Sequence, residues 1–260
     1  MDKFIQKIVK EAGDAVLKRF GKVRAEKYKS KNKVDAVTSA DLLSEKILLN
    51  HLKKRYPTHG IISEEKGSFN TDAEFVWTID PIDGTYNFSS NVPLFGVMIS
   101  LMHKQEVILA AIYLPVTQEY LFAKIGKGAF LNGRRIFSSK ESTLGQSAGC
   151  VSSSPRTPEA LTFFQAAIEN MKTGKATLNA FGCIATTCRF VAAGERDWMV
   201  TTGGKIHDFA PLSLILSEAG CIVTGVDGKK WHTKSLGLVA APPKLHPQLM
   251  KIVRKGWKIT

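Results

Sequence analysis

Two aspartates, Asp80 and Asp83, stand three residues apart in the run WTIDPIDGTYNF, with Pro81 between them and Gly84-Thr85 directly after. Carboxylates held this close repel one another unless a cation sits between them. Pro81 biases Asp80 toward an extended conformation, so the apolar strand before it carries Asp80 to its end, and the chain then turns through Pro81-Ile82 to Asp83. Gly84 permits a tight backbone path, and Thr85 can open a helix or turn whose free N–H groups suit an anion such as phosphate. Hard divalent cations take oxygen ligands and commonly share one or two carboxylates with a substrate phosphate. The stretch thus holds parts for both a metal and a phosphate. Taken alone it also fits an Asx-turn with an incidental second Asp.

Other acids recur at the ends of elements. IISEEKG places Glu64 and Glu65 at the end of an apolar strand, KIHDFAPLSLILSEAG places Asp208 in the first turn of a helix, and VTSAD places Asp41 in the first turn of another. Each has an ordinary explanation by itself, as a cap or a solvated strand end. Their recurrence in four separate segments argues for a common centre.

The elements that must position these acids follow from periodicity and punctuation. Apolar residues at Phe4, Ile5, Ile8, Val9, Ala12, Val16, Leu17 and Phe20 predict an amphipathic helix over roughly 2–20. A basic segment, 21–37, is expected to hold a hairpin or loop. Thr38 or Ser39 caps a second helix that ends near Tyr56, before Pro57. Strands are expected at GIIS, at EFVWTID, on both sides of a polar turn in PLFGVMISLMHKQEVILAAIYLP, and between the glycine turns of EYLFAKIGKGAFLNGRRI. The second half alternates: strand 147–152, helix 156–171, strand 176–180, helix 183–193, strand 197–200, helix 208–219, strand 221–225, then SLGLVAAPP as a strand and LHPQLMKIVRK as a helix. Mixed strands and helices throughout imply layered α/β structure. One domain over 1–260 is expected, with an N-terminal α+β half of about 1–145 and a C-terminal α/β half of about 146–260.

Composition narrows the class. With 44% hydrophobic residues the 260-residue chain can bury a sizeable core, and no apolar run is long enough for a membrane span. Cys150, Cys183, Cys188 and Cys221 lack metal-ligand spacing and read as buried thiols in a reducing cytoplasm. The formal charge of +13, from 36 basic and 23 acidic residues, admits a nucleic-acid partner. The lysines are spread, with a mild cluster at Lys22–Lys33, and no nucleic-acid motif accompanies them. Attraction of anionic small molecules explains part of the charge, and neither nucleic acid nor membrane is expected as a partner.

DPIDGTYNF, SEEKG, VTSAD and HDFAPLSLILSEAGCIVT together resemble, in order and spacing, the signature elements of the inositol monophosphatase family, the Mg²⁺-dependent, lithium-sensitive sugar-phosphate and nucleotide phosphatases. The resemblance spans nearly the whole chain. It implies an αβαβα sandwich like those of inositol monophosphatase and fructose-1,6-bisphosphatase, usually assembled as a homodimer, with two or three Mg²⁺ ions. It assigns Glu64, Asp80, Asp83, Asp208 and the carbonyl of Ile82 to metal, and Asp83, Gly84 and Thr85 to the phosphate region. Thr85 paired with Asp41 would orient or deprotonate the attacking water, and Glu64 would hold another water. The implied reaction is hydrolysis of a small phosphomonoester such as inositol 1-phosphate, with fructose 1,6-bisphosphate, histidinol phosphate and phosphoadenosine phosphate as alternatives. For the last, Trp198 or Phe181 offers a stacking wall, although core packing is the more ordinary role for each. A regulatory or nucleic-acid-binding protein on the same fold is the non-enzymatic alternative.

Three departures stand out. His207 occupies the position of the family's usual Trp before the C-terminal aspartate, and Cys221 that of its second glycine. Thr201 falls where inositol-specific members carry a Glu that binds sugar hydroxyls. Lys205 nearby is a candidate contact for a second anionic group.

Overall fold

The computed structural model describes residues 1–23, 27–28, 36–152, 158–171 and 176–256. Most of the Lys22–Lys33 cluster and the start of the helix expected from 156 lie outside them. The elements of the first half are α1 (Asp2–Leu17), β1 (Lys27–Tyr28), β2 (Ala36–Val37), α2 (Ser39–Arg55), β3 (Gly60–Ser63), β4 (Gly67–Phe69), β5 (Phe75–Asp83), α3 (Thr85–Ser89), β6 (Gly96–His103), β7 (Glu106–Leu114), β8 (Glu119–Lys124), β9 (Gly128–Leu131) and β10 (Arg134–Ile136). The second half holds β11 (Ala148–Val151), α4 (Pro158–Met171), β12 (Thr177–Asn179), α5 (Ile184–Ala192), β13 (Trp198–Thr202), α6 (Ile206–Glu218), β14 (Ile222–Thr224), β15 (Gly237–Ala241) and α7 (His246–Gly256).

An eight-stranded sheet runs β10-β9-β8-β7-β6-β5-β3-β4 and a five-stranded sheet runs β12-β11-β13-β15-β14. The apolar faces dictate five layers. Ile5, Ile8 and Val9 of α1 and Leu48 and Leu52 of α2 pack with Trp77, Ile79 and Ile99 on one face of the large sheet. The opposite face, through Met98 and Ile112, meets α5 and α6, which in turn cover Met199 and Ala240 of the small sheet. Phe163 of α4 and Leu249 and Val253 of α7 close the outer face against Val200 and Val239. This is the αβαβα sandwich expected from the sequence. Because α6 is wedged between two sheets, it is buried almost all round, which explains its continuous run of apolar residues.

The short strands β1 and β2 pair antiparallel, as a hairpin in 21–37 requires. The strand holding the paired aspartates departs from expectation. It does not end at Asp80 but continues to Asp83, with a register shift against β6 between Asp80 and Asp83. Pro81 has no N–H for the ladder, so the sheet accommodates it as a bulge rather than a turn. The carbonyl of Pro81 is held from the other side by the Ser44 hydroxyl, at 2.8 Å. Trp198, offered as a stacking wall, is a core residue: it is 1% exposed and its indole N–H donates to Ser147 Oγ at 2.8 Å. All four cysteines are buried free thiols, as expected. Among the described residues, no helix is long and apolar enough to cross a membrane.

Candidate active site

Topology brings the separated acids to one end of the large sheet. β3 and β5 run parallel, so both deliver their C-terminal ends to the same edge. The backbone N–H of Glu64 extends that ladder by one bond, to Ile79 O at 3.2 Å, and this seats Glu64 beside Asp80. Side chains alternate along β5. Trp77 and Ile79 face α1 and α2, and Val76 packs toward α6, so Asp80 shares the α6 side. There it meets Asp208, in the first turn of α6.

Asp80 is 2% exposed, and its Oδ1 is buried with no hydrogen-bond partner. Loss of hydration drives its carboxyl well above the ordinary range. The fields of Glu64, Asp83, Asp208 and Asp41 push it further in the same direction. Asp83 is raised to about 6, again chiefly by burial. Two donors oppose that shift: Cys183 Sγ at 2.8 Å and the backbone N–H of Ala185 at 2.7 Å, both reaching Asp83 Oδ2. Asp208 is raised by burial, against the nearby His207 and the backbone N–H of Lys205, which donates to Asp208 Oδ2. His207 is buried, with Nε2 3.9 Å from Asp208 Oδ2.

A second arrangement joins Asp41 to Thr85. Thr38 caps α2, and its N–H and hydroxyl both donate to Asp41 Oδ2 at 2.7 Å. This capping box fixes the carboxyl, whose Oδ1 lies 3.0 Å from Thr85 Oγ1. Thr85 Oγ1 is also 2.8 Å from Ile82 O. One hydroxyl proton therefore has two acceptors. Burial raises Asp41 to about 6 despite the bonds from Thr38.

Gly84 makes the corner between β5 and α3. Its φ is +82°, a conformation most side chains resist, and a Cβ there would stand 2.8 Å from Leu94 O. Gly84→Ala is therefore expected to lose on the order of 1–3 kcal/mol of stability and to displace Thr85. Chemical denaturation together with an activity assay checks both effects.

The structure brings Asp41, Glu64, Asp80, Ile82, Asp83, Gly84, Thr85 and Asp208 to one end of the sheet. Thr201 is buried near the end of β13, while Lys205 is exposed in the loop ahead of α6. Sequence reasoning missed three supports. Glu45 is fully buried and accepts bonds from the Ser63 hydroxyl and from the backbone N–H groups of Glu65 (3.1 Å) and Lys66 (2.9 Å), which fixes the turn beyond Glu64. Its signal was the i, i+4 spacing from Asp41, which puts two acids on one helix face. Ser44 holds the bulge, and Cys183 holds Asp83.

All the candidate donors are carboxylate or carbonyl oxygens, which suits a hard divalent ion, and Asp80 Oδ1 lacks any other partner. Among the described residues, no three acid, histidine or cysteine side chains form a ready-made metal cage. Facing acids without a cation between them gain nothing by closing up. The residue types fit the ion.

The chain is 32% identical to an inositol monophosphatase of Dictyostelium discoideum over 97% of this chain and 96% of that protein. It is 34% identical to a putative Nus factor SuhB of Neisseria meningitidis serogroup B, over 95% of each. The solved structure of an IMPase from Thermotoga maritima superposes with a TM-score of 0.89, at 28% identity, over 99% of both chains. The family model described as the inositol monophosphatase family matches residues 1–258, and the chain belongs to that family.

Proposed function

We propose that the chain is a Mg²⁺-dependent phosphomonoesterase that hydrolyses a small sugar or polyol phosphate of the inositol 1-phosphate type. The observation that carries this reading is Asp80: a buried carboxylate with an unpartnered oxygen, raised by four other acids around it. An uncompensated cluster of this kind is costly for a protein whose only task is to fold or bind.

Glu64, Asp80, Asp83, Asp208 and the Ile82 carbonyl would hold two or three Mg²⁺ ions. When bound, such ions lower the pKa of water and stabilise charge on the attacking and leaving oxygens. Asp41 then acts on Thr85: a carboxylate is a stronger acceptor than the Ile82 carbonyl, so it draws the hydroxyl proton and leaves Oγ1 oriented to accept from a water. Gly84, in its left-handed corner, lets the backbone approach a phosphate. Thr201 offers a hydroxyl where a carboxylate would grip polyols more strongly, and Lys205, exposed in its loop, would meet a second anionic group. A bisphosphate, histidinol phosphate or nucleotide substrate is therefore the alternative within the same chemistry. Lithium sensitivity, a homodimer and a cytoplasmic setting belong to this reading.

Thermal unfolding with and without metal tests the ion site. The raised carboxyls of Asp41 and Asp83, about 6 against 3.8 when unfolded, bind protons more strongly in the folded state. Their contribution to stability is therefore greatest below pH 3.8 and is lost as pH rises through 6. His246, held down to about 4 by burial, works the other way, costing stability as pH falls from 6.5 to 4. With the acids in the majority, the chain in EDTA is expected to melt higher at pH 5.5 than at pH 7.5. Mg²⁺ is expected to remove that difference by stabilising the pH 7.5 form. Equal melting in EDTA and Mg²⁺ at pH 7.5 would count against the ion site.

A second reading rests on the charge of +13 and on a relative named as a putative Nus factor. In it the chain contacts nucleic acid or a transcription partner. Retention on RNA that survives about 150 mM salt would favour it, since nonspecific contacts weaken steeply there.

A further inference from the structure

A cavity of about 500 Å³ opens at the far end of α6 from Asp208, where none of the candidate catalytic residues reaches. That volume is within the range of small-molecule sites. Its inner wall is apolar, from Leu214 of α6, Val107 of β7 and Val223 of β14, and Trp231 completes it. Trp231 is only 9% exposed, yet its indole N–H has no acceptor.

The rim is basic. Lys104, Lys230 and His232 stand around the cavity. Of the two acids there, Glu218 is already engaged, accepting from the backbone N–H groups of Gly126 (2.7 Å) and Gly128 (2.6 Å). Glu106 is the other, exposed at the foot of the β6–β7 turn. Lys104 and Gln105 form that turn with φ of +48° and +69°, although neither is glycine or asparagine. Two consecutive residues in the left-handed region make the tight two-residue turn between His103 and Glu106, and this turn places Lys104 at the rim.

We infer that this cavity is a second ligand site, for a compact apolar or aromatic molecule bearing one phosphonate, phosphate or carboxylate group. The anion would meet Lys104 and Lys230, and the apolar body would cover Leu214, Val223 and the Trp231 ring. The site is independent of the phosphatase reading. It shares α6 with Asp208, its lining residues Ser213 to Glu218 lying roughly 8–15 Å further along the helix, so occupancy is placed to act on the catalytic end.

The test is NMR on ¹⁵N-labelled full-length protein in EDTA, with phenylphosphonate as the probe and benzyl alcohol and inorganic phosphate as controls. Trp231→Phe assigns the indole resonance by its disappearance. Phenylphosphonate is expected to move that resonance saturably, with a Kd on the order of 1 mM for a ligand of this size. Lys104→Gln combined with Lys230→Gln is expected to weaken binding about tenfold, with the fold and phosphate release unchanged. No saturable shift would overturn the proposal. So would an equal shift with benzyl alcohol, or a shift that the lysine replacements leave intact. A resonance that follows protein concentration instead of ligand would mean that a second copy fills the cavity, which would also overturn it.

Discussion

Asp83→Asn is expected to reduce turnover of inositol 1-phosphate by at least about 10³-fold and to leave the metal-free fold as stable as the parent or more so. The two effects have one origin. Asp83 sits in a cluster whose negative charges raise one another, so removing a charge relieves repulsion when no cation is present. The amide oxygen of Asn can still accept from Ala185 N–H and Cys183 Sγ, so the connection to α5 survives. What Asn cannot supply is the anionic oxygen for a divalent ion, and uncatalysed phosphomonoester hydrolysis is slow enough that losing an ion is severe. Steady-state phosphate release paired with thermal unfolding in EDTA separates the effects. A variant with parental turnover would show that Asp83 holds no catalytic ion. A variant that fails to fold would show that its role is structural.

Thr85→Val is expected to lose about 10²–10⁴-fold in kcat, while Thr85→Ser retains most of it. Valine keeps the size and branching of threonine but removes the hydroxyl that lies 3.0 Å from Asp41 Oδ1. Serine keeps the hydroxyl. Because burial raises the Asp41 carboxyl, the kcat profile of the parent should fall on its acid side as Asp41 takes up a proton and ceases to accept from Thr85, at a pH below about 6 since bound Mg²⁺ would favour the carboxylate. The Val variant should show a low, flat profile in the same window. Equal activity of the Ser and Val variants would remove Thr85 from the reaction.

Much of the centre was legible because its chemistry is local. Thr38 before Asp41 is a capping signal readable from four residues, and the structure shows the cap as expected. The Asp80–Asp83 pair is written in nine residues, and Gly84 announced a corner. The form of the turn was not legible: whether Pro81 ends a strand or bulges it depends on whether β6 continues alongside, a pairing 13 or more residues away. Cys183 illustrates the same limit. In the sequence it is a small residue in an apolar run, and only the packing of α5 against β5 makes it a donor to Asp83, a hundred residues earlier. Trp198 is the reverse case, in which the ordinary reading as a core residue holds. A large aromatic suggested a ligand wall, but β13 lies inside the small sheet, between α5 and α6 on one face and α4 and α7 on the other, and its aromatic ring fills the space over Gly149. Glu45 was hidden because a lone acid on a helix reads as a solvated residue, until the turn after β3 delivers backbone N–H groups to it.

The most direct test is phosphate release from inositol 1-phosphate, fructose 1,6-bisphosphate, histidinol phosphate, phosphoadenosine phosphate and NADP, each with Mg²⁺ and with EDTA. The account predicts strong release from at least one compound in Mg²⁺ and none in EDTA. Release that persists in EDTA, or its absence from all five with folded protein that Mg²⁺ stabilises, would contradict it.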